Sequence, residues 1–132
     1  MKQLRAVVIG LMLTLVVMLT GCSGSMGTLS GNYTQDTLNL VQTLRQAVAL
    51  PEDDPHKAEF QTAAREQIND FAARYRRDGG ISGLLSFTTM RTALNALAGH
   101  YSSYPGRPIP EKLKNRITEQ LDQVELALKR GN

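Results

Sequence analysis

Four stretches of this chain set apolar residues at steps of three and four, and each is bounded by proline or glycine. That period marks an amphipathic α-helix, whose apolar face must be buried against a neighbour. The first stretch runs from about Thr34 to Leu50. Leu38, Val41, Leu44 and Val48 form its stripe, with Leu40 and Ala47 beside them. Thr34 is the expected N-cap, Asp36 suits the positive helix end, and Tyr33 can staple onto Leu38. Pro51 stops it. The second opens on Asp54-Pro55, a cap followed by the proline favoured at the first helical position. It carries Phe60, Ala64, Ile68, Phe71 and Tyr75 and stops at Asp78-Gly79-Gly80. The third starts near Ser82 or Ser86, with Phe87, Met90, Leu94, Leu97 and Tyr101 as a heptad-like seam. The proline-rich turn Ser102 to Pro110 follows. The fourth opens at Pro110-Glu111, ends at Arg130-Gly131, and aligns Leu113, Ile117, Leu121, Val124 and Leu128. No alternating strand pattern competes. The expectation is an all-α domain over residues 33–132, an antiparallel up-down-up-down four-helix bundle.

The residues before that domain read as an address. Lys2 and Arg5 precede the apolar run Ala6 to Leu19. As a helix this run rises about 21 Å, short of the ~30 Å hydrocarbon core, so it reads as a secretory signal over residues 1–21. Leu19-Thr20-Gly21-Cys22 then forms a bacterial lipobox around the one cysteine of the chain. Cys22 is the expected lipidation site, carrying acyl chains such as palmitate that hold the protein on a membrane. Residues 22–32, rich in Ser and Gly, read as a flexible tether. From Ser23 to Asn32 it can stretch about 33–36 Å.

Composition narrows the function. Lys2 and Arg5 belong to the leader, which leaves 13 basic against 12 acidic side chains. That balance and a secreted location argue against a nucleic-acid binder. One cysteine excludes a disulfide framework or a Cys-rich zinc site. His56 and His100 lack the spacing of a metal pair, and no nucleophile elbow or ordered base suggests hydrolysis. The expectation is a protein without catalytic residues, cofactor or metal site. The acidic turn Glu52 to Asp54 leaves weak cation binding open.

Two features suggest a docking surface. Between Gly79 and Gly106 the one permanent charge is Arg91, and Thr88, Thr92, Asn95 and Gly99 face away from the third helix's apolar seam. Exposed helix faces normally carry Lys and Glu. Either this helix is central and packs on two sides, or the face closes against a partner, because interface cores are poor in charge. Tyr101, Tyr104 and Arg107 extend the surface with residue types common at binding hot spots. Arg74, Arg76 and Arg77 close the second helix. They read as helix-end electrostatics or as a guanidinium cluster that clamps a partner's carboxylates, with Arg76 or Arg77 at the edge of the contact.

Several blocks resemble a known family. They are Gly31-Asn32-Tyr33-Thr34-Gln35-Asp36-Thr37-Leu38, Gln67-Ile68-Asn69-Asp70-Phe71, Arg74-Tyr75-Arg76-Arg77, Ser86-Phe87-Thr88-Thr89-Met90, and Thr92 to Tyr101 continuing through Arg107 to Leu113. The chain from Gly31 to Arg130 is similar to the photosystem II assembly and repair lipoproteins of the thylakoid lumen, in their cyanobacterial branch. The resemblance implies a non-enzymatic four-helix bundle without pigment, lipid-anchored on the lumenal side; the free protein is expected to be a monomer. It also implies transient binding to immature or damaged photosystem II, at the lumenal domain of a chlorophyll-binding inner antenna subunit. Release would come before the extrinsic subunits stabilise the oxygen-evolving cluster. The alternative is a generic extracytoplasmic helical lipoprotein that binds a small ligand or acts as an inhibitor.

Overall fold

The structure is a computed structural model that describes residues 29–132. The leader, Cys22 and most of the tether lie outside the described residues. Four helices follow in order, α1 (Tyr33–Ala49), α2 (Lys57–Tyr75), α3 (Leu85–Ser103) and α4 (Glu111–Lys129), and no strand occurs among the described residues. They form the expected four-helix bundle.

The core is built from the stripes. Leu40, Val41, Leu44 and Val48 of α1 meet Phe71 and Tyr75 of α2, Phe87, Met90, Leu94 and Leu97 of α3, and Ile117, Leu121 and Val124 of α4. Backbones approach most closely along α3–α4, then α1–α2 and α1–α4. Arg45 clips α1 to α4 through Asp122 at 2.6 Å and Glu125 at 3.3 Å, an exposed cluster contributing ~0–1 kcal/mol per pair. Between α2 and α3 the contact is made by side chains instead. Phe71 stacks on Phe87 with centroids 6.2 Å apart, and the Arg65 guanidinium lies 5.1 Å from the Tyr101 ring centre.

Local details depart from the sequence expectation at three places. α1 is capped by Asn32, not Thr34, because the Asn32 side chain accepts from the Gln35 N–H at 3.0 Å. Tyr33 therefore sits inside the first turn, and the staple to Leu38 is absent: Leu38 is 36% exposed. α2 begins at Lys57, because Asp54 spends its carboxylate on a tight turn, accepting from the His56 N–H at 2.8 Å. The tether's last residues are also held. Leu29 packs on the core, and Ser30 and Gly31 are hydrogen-bonded to α1.

That last contact centres on Asp36, which is 2% exposed in the first turn of α1. Its Oδ1 accepts from the Ser30 N–H and the Ser30 hydroxyl, both at 2.7 Å. Its Oδ2 accepts from the Gly31 N–H at 3.2 Å and from the Tyr75 hydroxyl. Gly31 makes this possible with φ of +87°, where an L side chain is strained, and a Cβ there would meet Arg74 Nη2 at 3.2 Å. Burial alone would raise the Asp36 carboxyl, but the bonds from Tyr75, Ser30 and Gly31 outweigh it and hold the group below its usual range. Burial and the adjacent carboxylate push the Tyr75 phenol up to about 12. Nearby, the Tyr33 hydroxyl reaches Ser86 Oγ at 2.8 Å and the Tyr33 ring meets Tyr75 edge-on at 5.2 Å. The start of α1, the end of α2 and the start of α3 are thus locked together at one end of the bundle.

Candidate docking surface

On α3, a run poor in charge leaves one stripe free to face outward. Thr88, Thr92, Asn95 and Gly99 are exposed, so this face of α3 does not pack on a second layer of the bundle. Thr88 and Thr92 open onto a shallow groove of about 220 Å³ shared with Thr89, Gln120 and Gln123 of the α3–α4 seam. The threonine protons are used inside the helix: Thr88 donates to the Leu85 carbonyl at 3.1 Å and Thr92 to the Thr88 carbonyl at 3.0 Å. Lone pairs are what these hydroxyls present outward. Gln120 Oε1, also an acceptor, is buried with no hydrogen-bond partner among the described residues. The groove is therefore uncharged and rich in acceptors, and a partner surface offering N–H donors would complement it.

The other sequence-selected residues lie at the margins. Tyr104 is 54% exposed just after α3, its ring 5.6 Å from that of His100. Buried His100 reaches across the turn to the Arg107 carbonyl at 3.3 Å through Nε2, which fixes the Tyr104–Arg107 loop against α3. The Arg107 side chain borders a pocket of about 290 Å³ with Arg65 and Tyr101. Arg76, the C-cap of α2, sits at the opposite end beside Arg91 of α3, while exposed Arg77 lines neither hollow. The structure thus brings Thr88 and Thr92 together, and separates Arg76 and Arg77 from Arg107 by the length of the bundle. Cys22 lies outside the described residues.

Neither histidine is arranged for metal. No group of three or more His, Cys, Asp or Glu side chains converges among the described residues. In the acidic turn, Glu52 is ion-paired with Lys57, and Asp54 is engaged by the His56 N–H. No helix among the described residues is long and apolar enough to cross a membrane.

Sequence reasoning missed the Asp36 network. The signal was present, because Asp36 stands four residues before Leu40 and eight before Leu44, on the buried stripe. A carboxylate there requires donors from outside its helix.

Comparison with known proteins agrees with this architecture. The family model described as Photosystem II Pbs27 matches residues 6–128. The Photosystem II assembly factor lipoprotein Psb27 of Thermosynechococcus vestitus is 54% identical over 130 residues, covering 98% of this chain and 97% of that protein. The Photosystem II lipoprotein Psb27 of Synechocystis sp. is 50% identical over 131 residues, covering 99% and 97%. Among solved structures, the solution structure of Psb27 from cyanobacterial photosystem II superposes with a TM-score of 0.76 at 55% identity, over 84% of this chain and 96% of that one.

Proposed function

Because the chain belongs to the Photosystem II Pbs27 family, we propose that it is a non-enzymatic assembly and repair factor of photosystem II. In this reading the leader, residues 1–21, is removed. Cys22 carries the lipid, and the bundle works as a monomer at the lumenal face of the thylakoid membrane. It binds immature or damaged photosystem II at the lumenal domain of a chlorophyll-binding inner antenna subunit and leaves before the extrinsic subunits arrive.

The observation that carries the reading is the family match along nearly the whole chain. The uncharged outer stripe of α3 supports it, since a surface that closes against a protein sheds charge. Thr88, Thr92 and Asn95, with the Tyr104–Arg107 turn, form the proposed contact, and Arg76 or Arg77 adds a charge at its rim. A lipid tether would hold the bundle near a membrane-bound target and raise its local concentration there.

Affinity for purified immature photosystem II tests this. Asn95→Glu places an unpaired charge in a closing interface and should weaken binding by about tenfold or more, while thermal melts stay near wild type because Asn95 is exposed. Arg77→Ala should weaken binding mainly at low salt, since screening already removes a rim charge at high salt. Normal binding by a folded Asn95→Glu protein would move the docking surface elsewhere. For the anchor, mass spectrometry of the mature N-terminus should find acylated Cys22, and Cys22→Ser should leave the precursor uncleaved. An unmodified Cys22, or a mature start at another residue, would refute lipidation.

A further inference from the structure

α2 and α3 face each other through matched stripes. Arg65, Ile68, Asn69, Ala72 and Arg76 recur at steps of three, one, three and four on α2. Phe87, Arg91, Leu94, Ala98 and Tyr101 recur at steps of four, three, four and three on α3. Because the helices run antiparallel, Arg76 comes beside Phe87 and Arg91, and Arg65 beside Tyr101. Three hollows lie in series along this seam. An apolar pit of about 30 Å³ over Phe71, Phe87 and Leu94 is flanked by Arg76 and Arg91. A hollow of about 180 Å³ follows between Ile68, Asn69 and Ala98. The pocket of about 290 Å³ at Arg65 and Arg107 completes the series. From Arg65 to Arg76 the seam runs about 16 Å at 1.5 Å per residue.

Along its first two hollows the chemistry is one-sided. None of Arg65, Arg76, Arg91 and Arg107 is ion-paired among the described residues, although Arg45 on the other side of the bundle has two carboxylates. No carboxylate lines the first two hollows; at the third, Glu52 is ion-paired with Lys57, while Asp54 keeps its charge and accepts from the His56 N–H. The Tyr101 hydroxyl, beside the second and third hollows, is buried with no partner among the described residues.

We propose that the α2–α3 seam is a receptor groove for an acidic protein segment carrying apolar side chains. The apolar side chains fill the pits, the carboxylates pair with the four guanidiniums, and a backbone group of the segment satisfies Tyr101. Planar guanidiniums in a row suit carboxylates in bidentate geometry. The apolar floor is recessed between two helices, so a flat anionic membrane would meet the arginines and leave the pits empty. The proposal rests on the docking reading above and assigns the occupant to the photosystem II partner. It places a second contact on α3, about a quarter-turn from Thr92 and Asn95.

The test uses the full lipidated chain with a photoreactive phenylalanine analogue at Ala98, at Asn95, or at Thr118 on exposed α4, mixed with immature photosystem II from cells lacking the protein. The Ala98 probe is expected to form an adduct with an Asp/Glu-rich peptide of a photosystem II subunit, and the Thr118 probe none. Arg76→Glu and Arg91→Glu, both at exposed positions, should each weaken binding by about tenfold or more, with an unchanged melt for Arg91→Glu and a slightly lower one for Arg76→Glu, which puts an acid at the C-terminal end of α2. Adducts from Asn95 without any from Ala98, together with normal binding of both reversals, overturn the groove and leave the docking reading standing. Ala98 adducts with lipid alone also overturn it. An absence of photosystem II adducts from every position overturns the docking reading and the groove with it.

Discussion

Replacing Asp36 with alanine should lower the unfolding free energy by about 3 kcal/mol or more, since bonds to a charged group contribute ~1.5–3 kcal/mol each and the stranded donors add a desolvation cost. That is a large share of the roughly 5–15 kcal/mol that holds a domain of this size folded. The loss has two parts. The Tyr75 hydroxyl loses its acceptor in a buried setting, and the Ser30 and Gly31 amides lose theirs at the surface. Urea melts measure the total, and hydrogen exchange separates the parts, because the Ser30 and Gly31 amides should exchange faster in the variant. The pH dependence has a definite sign. The folded-state carboxyl titrates below its ordinary value of 3.8, so its stabilisation is complete above that value. It is lost as the pH falls through the lower folded value. The gap between wild type and Asp36→Asn should therefore be widest at neutral pH and shrink in acid below about pH 4. A gap that widens on acidification would mean that the carboxyl is neutral in the folded protein.

Phe71→Ala should cost about 3–5 kcal/mol, the range for emptying a large aromatic site. Phe71 is 1% exposed and stands at the centre of an aromatic cluster, 5.1 Å from the Tyr75 ring and 6.2 Å from both Tyr33 and Phe87. Its ring joins α1, α2 and α3 where the α2 and α3 backbones are not closely apposed, so the neighbours have no short route to collapse into the space. The void would merge with the pit already open beneath Arg76 and Arg91. Guanidinium melts should show the lost stability, with weakened packing of α2 on α3 as its structural trace. A loss below about 1 kcal/mol would mean that the cluster repacks, and that the aromatic contact is not what joins α2 to α3.

Much of this architecture was legible because it depends on period. Leu44, Phe71, Leu94 and Leu121 in the four stripes are all buried, although Leu38 at one end of the first is not, and proline and glycine marked the connections. Whether Thr88, Thr92 and Asn95 faced a second packing layer or the outside was left open by the sequence, and the structure exposes them. What stayed hidden depends on relations between helices. Asp36 looked like an ordinary first-turn acid, because its donors come from Ser30 before the helix and from Tyr75, 39 residues later. The placing of Arg65 beside Tyr101 and of Arg76 beside Arg91 was hidden, since nothing in one helix's spacing says which residues of another will stand across from it. Helix starts slipped where several residues could cap. Asn32 and Thr34 are both capable, and the chain uses the one whose side chain meets the Gln35 N–H.

The bond from Ser30 to Asp36 also sets a height and an orientation. A chain lipidated at Cys22, as proposed, is pinned to the bundle by Leu29 and Ser30, so the span free to extend from Cys22 to Leu29 is at most about 23–25 Å. That is less than the roughly 28 Å length of a 19-residue helix such as α2. The bundle then cannot drift a full body length from the bilayer, and it cannot freely turn end over end. In that reading the end bearing Tyr33, Tyr75 and Arg76 cannot be turned wholly away from the lipid headgroups. If the bundle stands upright on this tether, the arginine-lined seam is a slot that opens from the membrane outward. A target segment would enter it most easily by rising from the membrane surface, so the vertical placement of the partner's acidic stretch would be selected along with its sequence.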